Sequence, residues 1–207
     1  MNKPRTLSNG ILFVVSAPSA TGKTTVVERV LSVLSNISRT VSHTTRQARL
    51  DECNGRDYYF VSDKAFDHMV ESRAFLEWAE VYGHRYGTSR EAVDGIISRR
   101  EDAILVIDWQ GAECLRSLYS NAVFILLVPP SRKVLKQRMR DRGVLPEPEL
   151  HKRLASAQLE LKKMDWYDYV VVNDTLEHAV EDVLHIVSAE RHRMGRQKSC
   201  LASLLKS

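Results

Sequence analysis

Cysteine is scarce in this chain of 207 residues: Cys53, Cys114 and Cys200 are the only three, and none stands in CxxC spacing. An odd, scattered set argues against a disulfide framework or a thiolate zinc site, and it predicts a reducing, cytoplasmic location. The seven histidines form no HExxH pattern, so a transition metal is not expected. Long apolar runs are missing too. ILFVV (11–15) follows Lys3 and Arg5 as in a secretory leader, but five residues fall short of the ~7–15 such a segment needs. AVFILLV (122–128) stops at Pro129-Pro130, far below the ~20 residues that span a bilayer. Neither leader nor membrane is therefore expected. Repeats and low-complexity segments are absent. Charge of one sign is not in large excess either: 30 Lys and Arg face 26 Asp and Glu, a net of +4. That balance suits small anions and does not call for nucleic acid; where the basic residues sit matters more than their sum.

What is present is a globular composition, 43% hydrophobic and 27% charged, of about the size of one α/β domain. ILFVVS (11–16) reads as a buried strand, followed by helical periodicity from Lys23 to about Leu34. Residues 38–86 hold short β-rich pieces, the turn Asn54-Gly55 and one helix near 63–72, which predicts a small insertion outside the main sheet. Thr88-x-x-Glu91 has capping-box spacing and opens a helix to about Arg100. AILVID (103–108), AVFILLV and YVVVN (169–173) are continuous apolar runs, as in strands covered on both faces. Helices are predicted near 109–118 and 131–142. After the proline-containing break GVLPEPEL (143–150), a long helix runs to about Lys163, and Asp174-x-x-Glu177 marks another helix start. The alternation predicts an α/β fold, a doubly wound parallel sheet with right-handed crossovers. Beyond Arg191 the tail is basic and reads as a frayed helix or surface arm.

The strongest motif is APSATGKTT (17–25), which fits [AG]-x-x-x-x-G-K-[ST] between a strand and a helix, the context a phosphate loop requires. Backbone N–H groups from Ala17, Pro18, Ser19, Ala20, Thr21 and Gly22 onward (the proline excepted) would curl around a phosphate at a helix N-terminus. Lys23 would reach the β- and γ-phosphates of ATP and the Thr24 hydroxyl would bind Mg²⁺. Ala17 and Ala20 stand where glycine often stands, so less backbone freedom is expected. Asp108, closing ILVID, suits a Mg²⁺-bound water beside Thr24 and equally suits the N-cap of the next helix. The sequence leaves both open.

SAPSATGKTT, SHTTRQAR, NGRDYYF, FLEWAEVYGHRYGTS, IDWQG, PPS, the arginines of 138–153 and VVND, in that order, resemble the guanylate kinase family across residues 10–190. The resemblance implies ATP-dependent phosphorylation of GMP, and of dGMP, in purine nucleotide metabolism. It implies a core of 10–37 and 95–190, a GMP-binding insertion of 38–94, a mobile lid of 143–153 and a separate tail of 191–207. Residue by residue, it implies that Ser42 and Glu77 read the guanine edge, while Arg46, Arg49, Tyr58 and Tyr86, with Thr88 nearby, hold the GMP phosphate. Arg138, Arg142 and Arg153 would close over the transferring phosphoryl, Asn173 would lie on the adenine side, and Asp108 near the guanine and the metal. Val106 stands where many relatives carry an acid, so no role passes to it. Pro146 and Pro148 are expected to stiffen the lid. Homo-oligomers are compatible with the sequence.

Chemistry supports several of these roles on its own terms. Guanine offers N1–H and N2–H₂ side by side, which one carboxylate accepts together and adenine cannot supply. Glu77 lies in the apolar stretch Phe75-Leu76-Trp78, although a surface acid on a strand would read the same way. Arg46 and Arg49 can fork onto one phosphate or form a solvated basic turn. Arg138 and Arg142 share a helix face, and Arg153 returns after the break, so positive charge gathers where phosphoryl transfer needs it. No general base stands out. A phosphate monoester needs none, since its second pKa of roughly 6 leaves it largely dianionic. Another small-molecule phosphate-loop kinase, or a scaffold module that has lost catalysis, are the competing readings; intact Lys23 and Thr24 weigh against the second.

Overall fold

The computed structural model describes residues 10–141, 146–162 and 164–198. Five parallel strands form the main sheet in the order β2 (Ile37–Arg39), β7 (Asp102–Val106), β1 (Leu12–Ser16), β8 (Val123–Val128) and β9 (Tyr169–Val172). Every residue of β1 is buried because both faces are covered. Phe13 and Val15 join the apolar layer beneath α1 (Lys23–Val33) and α7 (Leu176–Arg191), with Val27, Val30, Val183 and Val187. Leu12 and Val14 pack on the opposite face with Leu105, Phe124 and the helices α3 (Arg90–Ser98) and α4 (Trp109–Leu118). Burying each such side chain contributes roughly 1.5–3 kcal/mol. The doubly wound expectation holds: from β1 the chain crosses to β2 and β7 on one side, then to β8 and β9 on the other. Ligands of such sheets sit at the carboxyl ends of the strands where this reversal occurs, and the loop after β1 is there.

A second, four-stranded sheet has the order β4 (Tyr59–Phe60), β3 (His43–Thr44), β6 (His84–Ser89) and β5 (Phe75–Val81), with α2 (Asp63–Glu71) between β4 and β5 in sequence. β2 pairs with β7 through Arg39, so Ser38 and Arg39 belong to the main sheet and not to the predicted insertion. The remaining helices are α5 (Arg132–Asp141) and α6 (Glu147–Leu161), whose Leu135, Met139, Leu150 and Leu154 form a small core with Ala20 of the phosphate loop.

Three helix starts differ from expectation. Ser89, not Thr88, caps α3 by accepting from Ala92 N at 3.2 Å; Thr88 is inside β6, with its hydroxyl engaged elsewhere. Thr175, not Asp174, caps α7. Part of the predicted break is helical: α6 begins at Glu147 after Pro146, with Pro148 in its first turn. Proline is tolerated there because first-turn N–H groups have no intrahelical acceptor. Within the predicted lid, 143–145 lie outside the described residues. The tail beyond Arg191 includes a short 3₁₀ turn, Met194–Arg196, and Arg196 donates to the buried Glu190 at 3.3 Å.

A buried ion pair closes the far end of the sheet. Asp102 accepts from Ile11 N at 2.7 Å and from Arg191 Nε at 2.7 Å, while Arg191 also donates to the carbonyls of Ser35 and Asn36. The start of β1, the loop after α1 and the end of α7 are thus tied together by the Asp102–Arg191 pair.

Candidate active site

The loop from Ala17 to Gly22 turns tightly out of β1. Ala20 has φ 67° and Gly22 φ 94°. Glycine takes such angles freely, whereas Ala20 takes them at a steric cost. Space is also short at Gly22, where a Cβ would stand 2.7 Å from Asn173 Nδ2. Asn173, buried at the end of β9, donates to the Thr21 carbonyl at 2.6 Å, and Arg138 of α5 donates to that carbonyl at 3.3 Å and to Asp174 O at 3.4 Å. Lys23 opens α1 and its ammonium donates to Ile107 O at 2.5 Å. Burial holds its pKa below the usual lysine value, against the opposing pull of Asp108, Glu160 and Glu77. Thr24 is exposed on the first turn of the helix.

Asp108 caps α4, accepting from Gln110 N at 2.7 Å and Gly111 N at 2.9 Å through Oδ1. Across from it lies Glu77 of β5, only 5% exposed. A bulge between Phe75 and Glu77 breaks the alternation of the strand, so Phe75, Leu76 and Glu77 are all buried. Thr88, its partner on β6, donates to Glu77 Oε1 at 2.6 Å, and Ser42 lies 3.3 Å from Thr88 Oγ1. Burial raises the Glu77 pKa to about 7, partly offset by the Thr88 hydrogen bond and raised further by Asp108. Near neutral pH this buried carboxyl is therefore divided between its protonated and ionised forms, with donors from the Thr88 hydroxyl and backbone N–H. Gly111 gives it room: a Cβ there would fall 2.3 Å from Glu77 Oε2.

These pieces face one another across a cleft between the phosphate loop and the second sheet. The guanylate kinase family model covers residues 10–190. The guanylate kinase of Polaromonas is 42% identical over 96% of this chain and 96% of its own length. That of Thermotoga maritima is 45% identical over 91% of each chain, and that of Escherichia coli 43% identical over 93% of this chain and 94% of its own. The chain belongs to the guanylate kinase family. A solved guanylate kinase from Anaplasma phagocytophilum superposes with a TM-score of 0.78 at 33% identity, covering 92% of this chain and 90% of that one.

Relative to the roles that the guanylate kinase resemblance implies, the structure brings together Ser42, Thr88, Glu77, Asp108 and Lys23 around one cleft. Arg46, Tyr58 and Tyr86 form a second group on the same sheet: Arg46 lies 5.6 Å from the Tyr58 ring centre, and the two tyrosine rings are 5.8 Å apart. Arg46 is paired with Glu52 at 2.7 Å, an acid that sequence reasoning did not single out. Arg49 is exposed, touching Glu52 through its backbone N–H. Arg138 is at the phosphate loop, whereas Arg153 of α6 points to Glu149 at 2.6 Å and over the Tyr82 ring at 5.0 Å. Arg142 lies outside the described residues.

Glu160, also on α6, was missed. Burial raises its pKa to about 7, against the pull of Lys23. Its signal in the sequence is spacing alone: it follows Arg153 by seven residues, so both share a helix face. The Thr24 hydroxyl, exposed at the start of α1, and the Asp108 carboxylate are hard oxygen donors of the kind Mg²⁺ takes. Among the described residues no three His, Cys, Asp or Glu side chains gather to hold a metal. Mg²⁺ needs no such cage, since it keeps waters and takes phosphate oxygens beside one or two protein oxygens. Among the described residues no helix is long and apolar enough to cross a membrane.

Proposed function

We propose that the cleft transfers the γ-phosphoryl group of ATP to GMP, yielding ADP and GDP, and that dGMP is also accepted. One observation carries this reading: a buried carboxylate, Glu77, hydrogen-bonded by the hydroxyl and the backbone N–H of Thr88, faces the lysine of a phosphate loop across the same cleft. A base presenting two adjacent N–H donors satisfies that carboxylate in its ionised form, and guanine presents N1–H and N2–H₂. Ser42 supports the same edge through Thr88.

Arg46, Arg49, Tyr58 and Tyr86 hold the GMP phosphate, with Thr88 and Asp108 between the base and the transfer point. Arg46 gives up its Glu52 pair for phosphate, exchanging one charged acceptor for another. The loop 17–24 cradles the ATP phosphates, and Asn173 braces that loop from the adenine side. The GMP phosphate attacks without a general base, because it is already largely anionic. Lys23, Arg138, Arg142 and Arg153 collect positive charge around the transferring group, whose equatorial oxygens carry the negative charge of the transition state. Bound Mg²⁺, held by Thr24 and through water by Asp108, would neutralise charge on the β- and γ-phosphates. Closure of the insertion, 40–94 once β2 is assigned to the main sheet, and of the 143–153 lid excludes water that would otherwise hydrolyse ATP.

The deciding experiment is ADP formation with GMP, AMP, CMP and UMP as acceptors. GMP should be preferred by ~10²-fold or more in kcat/KM, the scale set when mismatched acceptors leave buried polar groups unpaired. Equal turnover with AMP would overturn the guanine assignment in favour of another phosphate-loop kinase. Turnover with none of the four would indicate a binding module.

A further inference from the structure

The connection between β5 and β6 is two residues long, Tyr82-Gly83, and both have positive φ, 52° and 79°. This is the pattern of a tight primed hairpin turn, for which Asn, Asp or Gly is the favoured first residue. Gly83 takes its angle freely. A bulky Tyr82 in the left-handed region is strained, and such strain persists where surrounding contacts hold the residue in place.

Those contacts come from α6. The Arg153 guanidinium lies over the Tyr82 ring at 5.0 Å. The Tyr82 phenol also hydrogen-bonds with Ser156 and feels the charge of Glu160. Arg153, Ser156 and Glu160 fall at i, i+3 and i+7, one stripe of the helix. Glu160, at the far end of that stripe, feels the charge of Lys23. The stripe therefore runs from the hairpin tip to the phosphate loop. Arg153 has a second partner, Glu149 at 2.6 Å, but Glu149 is on the same helix and moves with it. Among these contacts, only Tyr82 ties the arginine to the second sheet.

We propose that Tyr82 is a positioning residue for phosphoryl transfer: its ring face is the platform on which Arg153 rests, coupling the second sheet to the placement of that arginine at the cleft. The inference rests on the reading of Arg153 as a ligand of the transferring phosphoryl. A guanidinium stacked on a ring keeps its N–H edge free, so the platform orients the group without consuming the donors that a phosphate needs. The ring face performs this task; the hydroxyl, which holds Ser156, is not needed to seat the arginine.

The test uses the full-length protein as wild type, Tyr82→Phe, Tyr82→Asn, Arg153→Ala and the double variant Tyr82→Asn/Arg153→Ala. Thermal stability, kcat, and KM for GMP and ATP are measured for each. Asn suits the turn better than Tyr, so Tyr82→Asn should melt no lower than wild type, which separates positioning from folding. Its kcat should fall about 3- to 30-fold, the range that a cation–π contact supports, with both KM values within about twofold. Tyr82→Phe should restore turnover. In the Arg153→Ala background, Tyr82→Asn should cost nothing further, because the two act as one unit. Unchanged kcat in Tyr82→Asn, no rescue by Phe, or a loss fully additive with Arg153→Ala overturns the inference while leaving the kinase reading intact. Wild-type protein with no GMP-dependent ADP formation overturns the kinase reading, and this inference with it.

Discussion

Replacing Glu77 by Gln should stabilise the unliganded protein and disable its recognition of GMP. The Glu77 carboxyl is 5% exposed and burial is the main reason its pKa rises from 4.5 to about 7. A shift of about 2.5 units corresponds to about 3 kcal/mol favouring the protonated form in the folded state. Because the folded pKa lies above the unfolded one, that stability is fully present below pH 4.5 and is lost as pH rises through 7. At pH 8 the wild type therefore carries a buried charge that costs about 3 kcal/mol, whereas at pH 5 the cost is under about 1 kcal/mol. Gln keeps the size and an oxygen for the Thr88 hydroxyl, and it has no charge to bury. The melting temperature of Glu77→Gln should thus exceed that of wild type by about 6–12 °C at pH 8, taking about 2–4 °C per kcal/mol for a chain of this size, and the gap should shrink strongly at pH 5. For GMP the same variant turns an N–H donor toward a guanine donor, so kcat/KM should fall by ~10-fold or more, with the ATP Kd little changed. Scanning calorimetry at both pH values and steady-state kinetics measure the two halves. A melting temperature at pH 8 equal to or below wild type would refute the buried-charge reasoning, and unaltered GMP kinetics would return Glu77 to a structural role.

Three further outcomes follow from the same site. GMP binding should drive Glu77 to its ionised form, so at pH 7 the wild type should release roughly half a proton more per GMP than Glu77→Gln, as read by calorimetry in buffers of different ionisation enthalpy; equal release would show that the carboxyl is already ionised in the empty cleft. Lys23→Ala should lose at least ~10²-fold in kcat, the scale of one preorganised donor, while keeping its melting temperature, because the ammonium it removes is desolvated; near-normal turnover would end the phosphate-loop assignment. Gly111→Ala should push the Glu77 carboxylate aside, since its Cβ would sit 2.3 Å from Oε2, lowering kcat/KM for GMP by ~10-fold at a stability cost of about 1–3 kcal/mol; a folded variant with wild-type GMP kinetics would show that Glu77 has room to spare.

The strand–loop–helix at 11–34, the apolar strands 103–106 and 123–128 and the helix 109–118 were legible in the sequence because each depends on short-range pattern: an apolar run, a glycine–lysine turn, a helical period. Capping spacing was less reliable. Thr88 and Asp174 have the right neighbours, but in the fold Thr88 is committed to a strand and to Glu77, leaving Ser89 to cap. The motif order by itself pointed to the guanylate kinase family. Whether Glu77 was a surface acid or a buried acceptor lay beyond the sequence, because that depends on a bulge in β5 and on the missing side chain of Gly111, 34 residues away. That Asp108 caps a helix likewise depended on α4 starting where it does; its Oδ1 accepts from the first turn of that helix. Tyr82 gave no local sign, and Glu160 gave only its seven-residue spacing from Arg153. Their importance comes from α6 crossing between the hairpin tip and Lys23, and such contacts between segments about 70 and 140 residues apart exist only once burial has brought the elements together. Local pattern chose the elements, and desolvation in the assembled cleft decided which of their charged side chains became chemically unusual.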